Sequence, residues 1–139
     1  MSSRPNILIV EDDLMIADHL EETLQNAGFN VCGIARNGVE AIALAQLHHP
    51  ALSVIDLRLS NGEYGTQVGA ALTRHGKIGI LYSTGNSRHP LLDSALGQAC
   101  ISKPYTEDGV VSALKIVAER MAEATPLSAF PAGFRLLNV

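Results

Sequence analysis

The chain has 139 residues, of which 47% are hydrophobic and 17% charged, a balance that suits one folded domain and argues against disorder. Lys and Arg number 10 against 14 Asp and Glu, for a formal net charge of -4, so a general nucleic-acid binder with clustered basic residues is not expected. No stretch approaches the ~18 uninterrupted apolar residues of a membrane span. "MSSRPNILIVEDD" is too short and too acidic for a secretory signal, so a cytoplasmic location is expected, with Cys32 and Cys100 as reduced core thiols.

Apolar runs and helix-period segments alternate. "NILIV" (6–10) is continuous and β-branched, which predicts a strand buried on both faces. Over 14–27, Ile16, Leu20, Leu24 and Ala27 form one helical stripe, with Gly28 as the cap. "NVCGIA" (30–35) reads as a second strand. Residues 37–47 read as a helix that opens with Asn37 and Glu40 in a capping-box-like start, with Val39, Ile42, Ala43 and Leu47 as its buried face. Pro50 stops it, and "ALSVID" (51–56) is the third strand. In the second half, 65–76 reads as a helix weakened by Gly69, 77–83 as a strand, 89–96 as a short helix and 98–102 as a fifth strand. The last helix, 106–122, starts at Thr106 with Glu107 and Asp108 in its first turn, and buries Val110, Leu114, Val117 and Met121. Five such repeats predict the α/β class: a doubly wound, five-stranded parallel sheet with helices on both faces.

In these sheets ligands sit beyond the carboxyl ends of the strands. Glu11 and Asp12 leave the first strand there, and Asp56 leaves the third. If those strands are neighbours, three carboxylates converge, which is costly unless a cation neutralises them. Hard oxygen ligands without His or Cys favour Mg²⁺, or Mn²⁺, over Zn²⁺. Lys103 brings a positive charge to the same rim from the fifth strand, and Thr84 brings a hydroxyl from the fourth. Each signal is ordinary loop chemistry when taken alone, and Asp13 reads as a solvated first-turn acid. The five histidines show no ligand spacing. The information lies in the conjunction.

"ILIVEDD", "VIDLRL", "LYSTGN" and "ISKPY", in that order, resemble a response-regulator receiver domain of two-component signalling, over about residues 5–122. The resemblance implies a flavodoxin-like strand order, 2-1-3-4-5. It implies Asp56 as phosphoacceptor, with Mg²⁺ held by Glu11, Asp12, Asp56 and the backbone carbonyl of Arg58. Thr84 would bond a phosphoryl oxygen and Lys103 would pair with the phosphate. The bond before Pro104 would be cis, which X–Pro bonds tolerate. The phosphodonor would be a histidine kinase or a histidine phosphotransfer protein. The domain would catalyse only its own phosphorylation and dephosphorylation, as a timed switch rather than a turnover enzyme.

Two positions depart from the family pattern. Cys100 stands where a Tyr or Phe usually reports phosphorylation, and Ser60 where a Pro is usual. "LYSTGN" resembles the Phe-Ala-Thr-Gly type of an atypical subgroup lacking that aromatic, which places the switch on Thr84 and its loop. The receiver is expected over 1–125. The apolar tail 126–139, too short and not basic enough for a DNA-binding effector, holds Leu127, Phe130, Phe134, Leu136, Leu137 and Val139. Such a tail either frays or docks, on the domain itself or on a second copy as a homodimer. A stand-alone receiver would signal through contacts with a downstream protein, or serve as a phosphate sink or shuttle. Two other classes fit less well. A haloacid-dehalogenase-like phosphohydrolase wants a second Asp where Arg58 stands, and a flavodoxin-like cofactor binder wants a phosphate loop where "EDD" stands.

Overall fold

The computed structural model describes residues 4–124 and 129–138. Strands β1 (Asn6–Val10), β2 (Asn30–Ala35), β3 (Leu52–Asp56), β4 (Gly79–Thr84) and β5 (Ala99–Ser102) run parallel in the order β2-β1-β3-β4-β5. A sixth strand, β6 (Phe134–Leu136), pairs antiparallel with β5. The continuous apolar runs predicted central strands, and Ile7 to Val10 are wholly buried. Alternate side chains serve opposite faces. Ile7 and Ile9 join Leu24, Leu114 and Val117 beneath α1 (Leu14–Asn26) and α4 (Glu107–Met121). Leu8 and Val10 join Val68, Leu72 and Tyr82 beneath α2 (Gly38–His48) and α3 (Gly65–His75).

The helix boundaries follow their caps. Asp13 is solvent-exposed, as expected, but it is the N-cap of α1 rather than a first-turn residue; its carboxylate accepts from the amides of Met15 and Ile16 at 3.0 and 3.3 Å. Gly28, at φ +96°, takes the left-handed conformation just past the helix end. Asn37 and Thr106 cap α2 and α4 as expected, through the amides of Glu40 and Gly109. Gly69, which weakens α3 by propensity, has a packing reason: a Cβ there would overlap the Tyr82 hydroxyl. That hydroxyl donates to the Leu96 carbonyl at 2.7 Å.

Several expectations are corrected. Helix α2 does not bury Ala43, nor Val39 and Leu47, which are 81% and 70% exposed; it turns Gly38 and Ala41 inward, with Ile42, Leu44 and Ala45 half-buried. Nearly every position of this helix is apolar, so periodicity alone did not choose a face. In α1, Ile16 is exposed, Ala17 is buried in its place, and Ala27 also lies outside the stripe. Residues 89–96 form only a short 3-10 turn, Pro90–Ser94.

Over its described residues, 129–138, the tail docks on its own domain rather than fraying. β6 covers the β5 edge, and Leu137 enters the core at 3% exposure. The Asn138 amide donates to the carbonyls of Ala95 and Gly97 at 2.8 and 3.3 Å, and Arg135 Nη2 donates to the Ser87 carbonyl at 2.7 Å. Phe130, half-exposed, packs edge-on against Phe134; Leu127 and Val139 lie outside the described residues. If this docking contributes to stability, Leu137→Ala should lower the unfolding free energy by about 2–3 kcal/mol, read as a lower urea midpoint at unchanged slope. An unshifted midpoint would show the tail to be dispensable.

Candidate functional site at the carboxyl ends of the strands

The parallel strands all end on one edge, and register decides which residues meet there. Val10 pairs with Ile55, so Glu11 and Asp56 emerge side by side. Asp56 pairs with Ser83 and Thr84 with Ser102, which carries Thr84 and Lys103 to the same level. The Lys103 amide donates to the Thr84 carbonyl at 2.8 Å, and the Lys103–Pro104 bond is cis. Gly65 lets α3 start hard against β3, since a Cβ there would overlap the Asp56 carbonyl.

One carboxylate oxygen from each of Glu11, Asp12 and Asp56 lies within 4.8 Å of the others. Lys103 Nζ sits 3.1 Å from Asp56 Oδ1 and 3.7 Å from Glu11 Oε1. Burial, and then the negative charge of Asp56, raise the Glu11 carboxyl to about 7, against smaller opposing effects of the Asp13 amide and Lys103. Asp12 moves the other way. Ser60 holds it below the usual carboxylate range, and the Ser60 amide donates to its Oδ2 at 2.5 Å. One lysine therefore does not neutralise the group, and the donor set is all oxygen. Both features fit a hard divalent cation. Tyr105, pushed up to about 12 by burial and by the charges of Glu11 and Asp56, borders the same acids.

Thr84 is buried, and its hydroxyl is engaged locally, accepting from the Asn86 amide at 3.0 Å and facing the Asn86 carbonyl at 3.1 Å. A pocket of about 420 Å³ opens between Asp56, Arg58, Thr84, Asn86, His89 and Lys103. Cys100 lies outside this pocket, wholly buried on β5 three residues before Lys103 and in register with Arg135.

The description "response regulator receiver domain" matches residues 7–115. The chain belongs to that family. Among curated relatives, the transcriptional regulatory protein PdtaR of Mycobacterium tuberculosis is 28% identical over 124 residues, covering 87% of this chain and 60% of that protein. The swarming motility regulation protein RssB of Serratia marcescens is 34% identical over 125 residues, covering 84% and 54%. This receiver thus spans little more than half the length of those relatives. In fold it resembles the PhyR receiver domain of Erythrobacter litoralis, with a TM-score of 0.75 at 20% identity, covering 94% of this chain and 96% of that one.

All the site residues named from the sequence stand at this receiver's strand edge except Cys100, which lies below it in the core. Sequence reasoning missed His89, Tyr105 and Arg135. Tyr105 follows the Lys-Pro pair directly and was open to reading. His89 and Arg135 reach their places only through a loop and a docked tail, which carry no periodic signal.

A raised Glu11 makes a pH prediction. A carboxyl whose folded pKa lies above its unfolded value near 4.5 favours the fold when protonated. That contribution is complete below about 4.5 and is lost as pH rises through about 7. In a chelating buffer the wild type should therefore lose stability between pH 5 and 8, and Glu11→Gln should flatten that slope in denaturant titrations. Parallel profiles for the two proteins would contradict the assignment.

Proposed function

We propose that this receiver is a phosphoacceptor switch, phosphorylated on Asp56 by a histidine kinase or histidine phosphotransfer protein. The observation that carries the reading is the convergence of the Glu11, Asp12 and Asp56 carboxylates with Lys103 Nζ 3.1 Å from Asp56. Glu11, Asp12, Asp56 and the Arg58 carbonyl would hold Mg²⁺, which when bound offsets the negative charge of the carboxylates and of an incoming phosphoryl group. Lys103 orients the Asp56 carboxylate through Oδ1. An Asp56 oxygen bonds to phosphorus as the phosphorus–nitrogen bond of the donor phosphohistidine breaks. The electron pair stays on the imidazole nitrogen, and the product is an acyl phosphate that water cleaves in time.

A partner must bring that phosphohistidine to the pocket. The first turn of α1 exposes Leu14, Met15 and Ile16. A groove of about 540 Å³ runs from Met15, Ile16 and His19 to Pro104 and Tyr105, and reaches Lys103. An apolar surface beside the phosphoacceptor suits a helical protein donor.

For the output we place the switch on Thr84. Its hydroxyl has one proton and faces the Asn86 carbonyl, so donating to a phosphoryl oxygen means releasing Asn86. Ser87, next in the loop, is held by Arg135. The change can therefore pass from Thr84 through residues 85–89 to β6 without a ring at Cys100.

Two experiments test the reading. Incubation with acetyl phosphate and Mg²⁺ should add the mass of one phosphoryl group to the wild type and none to Asp56→Asn, and chelation should stop the gain. Undiminished labelling of the variant would end the assignment. Met15→Glu should accept phosphate from acetyl phosphate normally but at least tenfold more slowly from a cognate kinase; equal slowing of both would place Met15 in folding rather than docking.

A further inference from the structure

His89 carries a contradiction in its hydrogen bonding. Its Nδ1 faces the Leu91 amide at 3.2 Å, capping the 3-10 turn, while its Nε2 lies 3.5 Å from Arg58 Nη2. A neutral imidazole has one acceptor nitrogen, and here two N–H donors point at the ring from opposite sides. The Leu91 amide begins a turn and takes Nδ1. With Nδ1 accepting, Nε2 bears the proton, so an N–H of His89 and an N–H of Arg58 converge on one point of the pocket wall, open to a shared acceptor.

That arrangement is held in place. The Arg58 guanidinium carbon lies 5.8 Å from the Tyr64 ring centre, and the His89 ring is tilted against the same Tyr64 ring at 5.9 Å. Arg58 and His89 both line the pocket that contains Asp56, Thr84 and Lys103. A histidine serving only as a turn cap accounts for the Nδ1 contact. It does not account for an imidazole N–H set against a guanidinium on a pocket wall.

We infer that His89 is a second anchor for the phosphoryl group on Asp56, its Nε2–H and the Arg58 guanidinium sharing a terminal phosphoryl oxygen. The inference rests on the reading of Asp56 as phosphoacceptor. Phosphorylation adds negative charge and three acceptor oxygens that extend beyond those of the carboxylate. The Thr84 hydroxyl brings one proton and Lys103 is shared with Asp56 and Glu11, so three new oxygens leave room for further donors from the pocket wall. An oxygen between His89 and Arg58 satisfies both N–H groups at once and leaves the Leu91 cap intact. The same contact would couple phosphorylation to the loop that Thr84 controls, since His89 ends that loop.

The test uses beryllofluoride with Mg²⁺ as a mimic of the acyl-phosphoryl group. His89→Asn keeps an acceptor for the Leu91 amide but does not reach the pocket; His89→Gln restores a donor at the reach of Nε2. His89→Asn should weaken beryllofluoride binding about tenfold, and His89→Gln should stay within about threefold of the wild type. In the wild type, the His89 Nε2 nitrogen-15 resonance should move on adding beryllofluoride, and should stay still in Asp56→Asn. This signal needs no His89 variant, so it decides the matter even if a substitution disturbs folding. If the wild type neither binds beryllofluoride nor is labelled by acetyl phosphate, the reading of Asp56 falls and this inference with it. If the wild type binds and labels but its Nε2 resonance is unmoved, or if His89→Asn binds as tightly, only the role of His89 is overturned.

Discussion

Crowded negative charge at the end of a parallel sheet is the constraint on which this structure turns. Glu11, Asp12 and Asp56 are brought together by strand register, and register is fixed by the buried faces of β1 and β3. A single lysine partly offsets the charge. Burial, with that crowding added, raises the Glu11 carboxyl to about 7. A fold selected for stability alone would replace such a group with apolar residues. Keeping it leaves a site that gains from a divalent cation and can then take on a further anion. The surrounding core, with Ile7 to Val10, Ile55, Leu81 and Ile101 fully buried, is what allows the edge to remain unfavourable.

Much of this was legible in the sequence because the central elements obey strong local rules. Continuous β-branched runs marked the parallel strands, and residues just after them had to lie on the ligand-binding edge. Glu11, Asp56, Thr84 and Lys103 could be placed together from that argument without side-chain detail. The strand order 2-1-3-4-5 came with the family likeness and is the order found. Helix α2 was less legible. Val39, Ile42, Leu44 and Leu47 offer apolar groups in several directions, and only packing against α3, β2 and β1 selects the inward side. β6 was hidden for a different reason. Three residues of mixed character have no period, and their pairing depends on an unpaired edge presented by a strand more than thirty positions earlier.

The departures from the family pattern have a shared physical setting. Cys100 is small and fully buried, and its thiol is pushed up by burial against a lesser pull from Arg135. Arg135, its register partner on β6, reaches past it to Ser87. The region served by a large ring in most receivers is here shared by a thiol and a long cationic side chain from a later strand. Arg135 tethers the loop backbone at that place, through Ser87.

Arg135 and Asn138 together have a consequence for how the domain opens. Arg135 holds Ser87, near the start of the crossover between β4 and β5, and Asn138 holds Ala95 and Gly97, near its end. The crossover itself has only one short 3-10 turn, a structure with few internal hydrogen bonds of its own. The C-terminal strand therefore reinforces it at both ends, beside the anchors that Tyr82 and Thr84 give Leu96 and Asn86 from β4. Detaching β6 removes both staples in one event, so the two segments form a single cooperative unit for local unfolding, although some forty residues separate them along the chain. Their backbone amides should then exchange with one opening free energy, lower than that of the central strands.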